Sequence, residues 1–172
     1  MKPCVNPNPV PDLRGLSTEE LVNLGNESLR DHLAAQAVVA HHKYSPLGFE
    51  KLEAFLNDPE CVRYPTRLVY EFGDMAPHQF AQPDIDWRSS ESSGPGRVLY
   101  LRPILAQPAN REMILHAVAY MVPVINYGEV VTDALCLHYG ATLLGLMEDE
   151  FYERICAVAD TVGAEFRQAC VP

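Results

Sequence analysis

The stretch Asn110-Arg111-Glu112-Met113-Ile114-Leu115-His116-Ala117-Val118-Ala119-Tyr120-Met121-Val122-Pro123-Val124-Ile125-Asn126 is apolar on nearly every side at helical spacing. A helix without a polar face belongs in the middle of a fold, so a central buried helix is expected over about 110–126. A second helix is expected over about 129–147. A third, over about 149–170, puts Phe151, Ile155, Val158, Val162, Phe166 and Ala169 on one face. Its opening acids, Glu148-Asp149-Glu150, suit the positive end of a helix dipole.

Upstream the chemistry changes. Arg67-Leu68-Val69-Tyr70-Glu71-Phe72 and Arg97-Val98-Leu99-Tyr100-Leu101-Arg102 are rich in β-formers. They predict a small antiparallel β element over about 66–72 and 97–103. Between them Gly73 to Gly96 reads as a long loop, flexible over its Ser- and Gly-rich end at about 88–96. Nearer the N-terminus, Ser17 and Glu20 form a capping-box pattern. Gly25-Asn26 is expected to interrupt the helix, with Leu29, Leu33, Ala37 and Ala40 on the inner face of its continuation. Ser45-Pro46 opens a short third helix that Asp58-Pro59 closes. Residues 1–15, with Pro3, Pro7, Pro9 and Pro11, read as an extended proline-rich arm on a domain over 16–172. The expected class is α+β, a predominantly helical single domain with a small antiparallel β element.

At 172 residues and 48% hydrophobic content, the chain can bury a core without disulfides or a structural metal. A net charge of −10 argues against nucleic-acid partners and against acidic membrane surfaces. The five cysteines contain no C-x-x-C pair, which favours a reducing cytoplasm and neither a zinc ribbon nor a dithiol redox site. The Met113–Ile125 run is shorter than a bilayer requires, so a soluble cytoplasmic protein is expected. Neither G-x-x-x-x-G-K-[ST] nor G-x-G-x-x-G occurs, so no nucleotide cofactor is indicated; H-E-x-x-H and G-x-S-x-G are missing too.

The polar residues suggest chemistry only by clustering. Glu112, His116, Tyr120 and Tyr127 recur on one face of the apolar helix, as an acid–base pair with tyrosine neighbours or as core groups each satisfied locally. The segment from Glu71 to Trp87 crowds carboxylate, imidazole, amide and indole side chains into 17 residues, Glu71, Asp74 and His78 among them; alternatively it is an ordered surface loop with Asp84 and Asp86 solvated and Trp87 as its anchor. Together they give an expected His/carboxylate site acting on a small molecule. Glu71, His78, Glu112 and His116 would be its catalytic groups. Glu71, Asp74, His78 and His116 would be ligands for a divalent metal such as Zn, Fe or Mn. His138 reads as a packing residue, and His41-His42 as cations at a helix C-terminus. Ten of the thirteen basic residues are arginine, and Arg63, Arg67, Arg97, Arg102 and Arg111 flank the expected strands. They form either a patch for a carboxylate or phosphate, or salt bridges with Glu71 and Asp74. The alternative function is a non-catalytic accessory subunit that forms a homodimer through its apolar C-terminal helices.

Overall fold

The computed structural model describes residues 14–86 and 96–169. Most of the proline arm, Trp87 and the loop expected at about 88–96 lie outside these residues. The fold is a helix-dominated α+β domain with a three-stranded mixed sheet. Helix α1 spans Thr18–Tyr44, α2 Leu52–Leu56, α3 Arg111–Tyr127, α4 Asp133–Leu144 and α5 Glu148–Ala169. Strand β1 is Thr66–Tyr70, β2 Ala81–Asp86 and β3 Gly96–Leu101.

The capping box forms as its pattern requires. Ser17 Oγ accepts from Glu20 N–H at 3.2 Å, and Glu20 Oε2 accepts from Ser17 N–H at 2.7 Å. Helix α1 then runs unbroken through Gly25-Asn26, against the expected interruption. One interior glycine costs only about 1 kcal/mol against alanine, too little to break a helix of 27 residues. Its inner face, Leu33, Ala37 and Ala40, packs on α4.

Helix α3 is the centre of the molecule. Ile114, Ala117, Val118, Val122 and Ile125 are buried, and α4, α5 and β2 pack around it. By length and composition alone Pro108–Val130 could cross a membrane, a longer stretch than the Met113–Ile125 run. Here it is the core helix, with 56% of its most apolar window buried within the fold. The expected second helix starts later than its apolar pattern does. A 3-10 turn over Gly128–Val130 comes first, and the Thr132 hydroxyl then caps α4. On α5, Phe151, Ile155, Val158 and Val162 are buried, but Phe166 at the same spacing is exposed.

The sheet departs from expectation. Its order is β1-β3-β2, and β1 pairs with β3 in parallel, Thr66 opposite Arg97 and Tyr70 opposite Leu101. The antiparallel partner of β3 is β2, which the sequence reading placed in a loop. Ala-Gln-Pro-Asp-Ile-Asp is a poor strand former, yet its proline sits where a strand tolerates one. Arg97 N–H donates to Pro65 C=O, so the amides of Arg97, Leu99 and Leu101 face β1. Pro83 therefore stands opposite Leu99 in a non-hydrogen-bonded pair, on an edge strand, where its missing N–H costs nothing.

Candidate functional site

A cleft of about 650 Å3 opens where several structural elements meet. Arg63 and Tyr64 enter it from the segment after α2, Gln82 to Ile85 from β2, and Asn126 and Tyr127 from the end of α3. Both guanidinium groups lie over the Tyr64 ring, Arg97 at 4.2 Å from its centroid and Arg63 at 5.3 Å. Each contact is a cation–π attraction that also holds the fork in one orientation.

Asn126 is only 3% exposed. Its Oδ1 accepts from Arg63 N–H at 2.8 Å, which ties the α2–β1 segment to α3. Its Nδ2 has no partner among the described residues, nor does the buried Gln82 Oε1. Leaving a buried donor or acceptor unpaired costs about 1–3 kcal/mol. Five such side-chain atoms occur among the described residues, and two of them belong to residues lining this cleft.

The wall beyond Asn126 is fixed in two ways. Tyr127 Oη is hydrogen-bonded to His32 Nε2 on α1. Gly128 then turns the chain with φ +68° and ψ −146°, a conformation that side chains rarely adopt. Glu129 and Asp84 add carboxylates to the lining, so the cleft offers guanidinium and amide donors together with acceptors.

The residues expected to form a His/carboxylate site are divided. Glu71, Asp74 and His78 are exposed, and Glu71 lines a separate cavity of about 230 Å3 with Arg67, Asp86 and Tyr100. Glu112 and His116 share another, of about 170 Å3, with Arg154 and leucines from three other segments. His116 is buried beside the Phe151 ring, centroids 6.3 Å apart, and burial lowers its pKa from the usual value while nearby Glu112 partly opposes this. Glu112 Oε1 stands 3.8 Å from Arg154 Nη1 at the surface. Tyr120 leaves the expected stripe to donate to Asp133 Oδ1 at 2.7 Å, linking α3 to α4. Among the described residues, no group of three or more His, Cys, Asp or Glu side chains is placed to hold a metal ion.

The arginines part company as well. Arg67 forks onto Asp86 at 2.9 and 3.2 Å, rather than onto Glu71 or Asp74. Arg102 is 4% exposed and forms no salt bridge among the described residues; it donates to the carbonyls of Gln79 and Ala76 and lies over Phe72. The guanidinium supplies the donor for the Gln79 carbonyl and joins the Gln79 N–H on the Ala76 carbonyl, which holds the 72–80 segment against the end of β3. Arg63 and Arg97 reach the cleft. His41 Nδ1 is 3.0 Å from Leu143 C=O, and His138 Nδ1 is 2.6 Å from Glu148 Oε1. Cys61 and Cys136 are buried, and burial pushes their thiols up to about 11 and about 12.

Sequence reasoning included Arg63 and Arg97 in its arginine patch and Gln82 in the polar 71–87 segment, but missed Tyr64 and Asn126. The available signal was Asn126 itself, an amide closing an apolar helix and therefore in need of a partner. No protein-family model matches the chain, and comparison with curated proteins and with solved structures returns no match.

Proposed function

We propose that this protein binds a small anionic molecule, carboxylate- or phosphate-bearing, in the cleft formed by Arg63, Tyr64, Arg97 and Asn126. The observation that carries this is the meeting of two guanidinium groups on one tyrosine beside a buried amide with an unpartnered Nδ2. Planar guanidinium forks match carboxylate and phosphate oxygens, and the amide adds a directional donor. Gln82 Oε1, Asp84 and Glu129 supply acceptors, so a ligand that also carries an N–H or O–H donor fits best. On a chain of net charge −10, the paired arginines give an anion a local reason to bind here.

The test is a titration of the isotope-labelled protein with inorganic phosphate and, separately, with citrate. Amide shifts should concentrate at Arg63, Tyr64, Arg97 and Asn126. Arg97→Ala should weaken binding by about ten- to a hundredfold, the worth of one charge-assisted bond. Unchanged affinity in that variant, or shifts scattered over the surface, overturns the proposal.

A second reading, acid–base chemistry at Glu112 and His116, is supported by one observation. Burial holds the His116 imidazole neutral further below its ordinary pKa, in a cavity it shares with a carboxylate and a guanidinium. Protection of His116 from diethyl pyrocarbonate at pH 7 would remove this reading, because a reactant could not reach the ring either.

A further inference from the structure

We infer that the cleft between α2 and β1 takes an extended basic peptide, which adds as a strand to the sheet. Among the described residues strand β1 is an edge, bonded to β3 on one side only. Parallel pairing with Thr66 opposite Arg97 directs the backbone groups of Arg67 and Val69 at β3. Those of Thr66, Leu68 and Tyr70 point the other way, and no hydrogen bond from the described residues reaches them; Thr66 is buried, so the open part of the edge is at Leu68 and Tyr70. Such a row of free N–H and C=O groups is a template for another strand.

Native sheets blunt an edge with charge, a bulge or a cover. Here the edge instead faces a cleft of about 470 Å3 whose far wall is the Phe49–Asn57 segment. The cleft is apolar in its depth, where Leu52 and Leu56 are buried, and Phe49 stands 40% exposed at the wall. An edge strand with a helical wall across an apolar groove is the geometry of peptide recognition by strand addition. Backbone bonds give the affinity, and alternate side chains enter the groove.

Charge selects the occupant. Glu50 and Glu53 project from the helical wall. Arg67 on the strand is engaged by Asp86, and Arg111, which lies over Phe49 at 5.2 Å, is not among the side chains lining the cleft. The unneutralised charge lining the cleft is therefore acidic, which suits lysine or arginine alternating with apolar residues. A second copy is a poor occupant: two-fold pairing of β1 with itself brings both acidic walls together on chains of net charge −10.

The experiment uses the full chain and three fluorescein-labelled octapeptides: alternating valine and lysine, alternating valine and glutamate, and the first with every backbone amide N-methylated. The valine–lysine peptide should bind saturably and shift the amides of Leu68 and Tyr70. The glutamate peptide should bind about tenfold or more weakly. The methylated peptide should lose binding, and Glu50→Lys/Glu53→Lys should reverse the charge preference. Absence of saturable binding, indifference to N-methylation, or shifts centred on Arg97 would overturn the inference. So would sedimentation showing a dimer that the valine–lysine peptide does not dissociate, because the edge would then belong to a second copy. The expected binding, its charge preference and its loss on N-methylation do not depend on the Arg63–Arg97 cleft, so failure here leaves the anion proposal standing.

Discussion

The two halves of this molecule are held together by different forces. In the helical half, α3, α4 and α5 fit by shape. Gly140 on α4 leaves its surface bare where the fully buried Phe151 of α5 lies against it. A Cβ at position 140 would stand 2.3 Å from two ring atoms. The sheet half is held by guanidinium groups. Arg102 closes the 72–80 segment through its carbonyls, and Arg67 spans β3 to reach Asp86. The lesson concerns which half can carry a binding site: close packing leaves the helical half only the cavity of about 170 Å3 beside Glu112 and His116, whereas polar bridging leaves donors, acceptors and a larger cleft at the surface.

The largest effect should come from filling the shape-held half. Gly140→Ala is expected to destabilise the protein by about 3 kcal/mol, a fall of about 6–12 °C in Tm. Phe151→Leu in the same chain should recover part of the loss, because the shorter side chain makes room for the methyl group. Additive losses in the double variant would show that the fit between α4 and α5 is not what holds this half. Next in size is Arg102→Met, which keeps an apolar chain in the buried space but removes the guanidinium from Phe72 and leaves the Gln79 carbonyl without its donor. About 2 kcal/mol should be lost, and hydrogen exchange should accelerate in residues 72–80 before the helices respond. Equal acceleration throughout would deny that the arginine acts on its own half.

The contrast also explains what could be read from the sequence. Helix α3 is legible because its apolar residues recur at a single period, and burial follows from that pattern. The capping box of Ser17 and Glu20 is legible because both partners lie within four residues. Strand β2 is not: Gln82, Pro83, Asp84 and Asp86 have low β propensity, and only pairing with β3 makes the segment extended. The sheet's parallel pairing is hidden for the same reason, since it depends on β2 occupying the other side of β3. At the cleft, the arginine patch was visible as composition. The sorting of Arg63 and Arg97 from Arg67 and Arg102 depends on contacts between distant segments, with Asn126 and Arg63 lying 63 positions apart. The division of Glu71, Asp74 and His78 from Glu112 and His116 is likewise a matter of tertiary placement.

Where the halves join, Gly128 offers a smaller test. No neighbour lies within 4 Å of a Cβ built there, so Gly128→Ala adds backbone strain and no clash. About 1 kcal/mol should be lost from positive φ alone. The Tyr127–Gly128 turn forms one wall of the anion cleft, so phosphate binding should weaken in this variant. Gly140→Ala, at temperatures where it stays folded, should leave phosphate binding unchanged. Reversal of that pattern would mean that the cleft takes its shape from helix packing and not from the turn.

The smallest effect is in pH dependence, through the one buried imidazole of the shape-held half. His116 is 7% exposed, and burial depresses its pKa below the ordinary 6.5, Arg154 adding to the shift and the Glu112 and Glu150 carboxylates opposing it. Between its folded pKa and 6.5 the unfolded chain binds the proton and the folded chain does not. Stability therefore rises with pH across that window and is lost as pH falls from 6.5 toward the folded value, below which both states are protonated and the slope vanishes. Asp58 acts lower down. The Lys43 ammonium, 2.6 Å away, holds its carboxyl below the usual 3.8, so its contribution is lost only as pH falls beneath that value. Urea midpoints from pH 8 to pH 3 for the native chain and for His116→Leu separate the two. The difference between their curves should slope only in the upper window and be flat through the Asp58 range. A flat difference throughout would mean that water reaches His116 as readily in the folded state as in the unfolded one, and that the helical half is less closed than its packing implies.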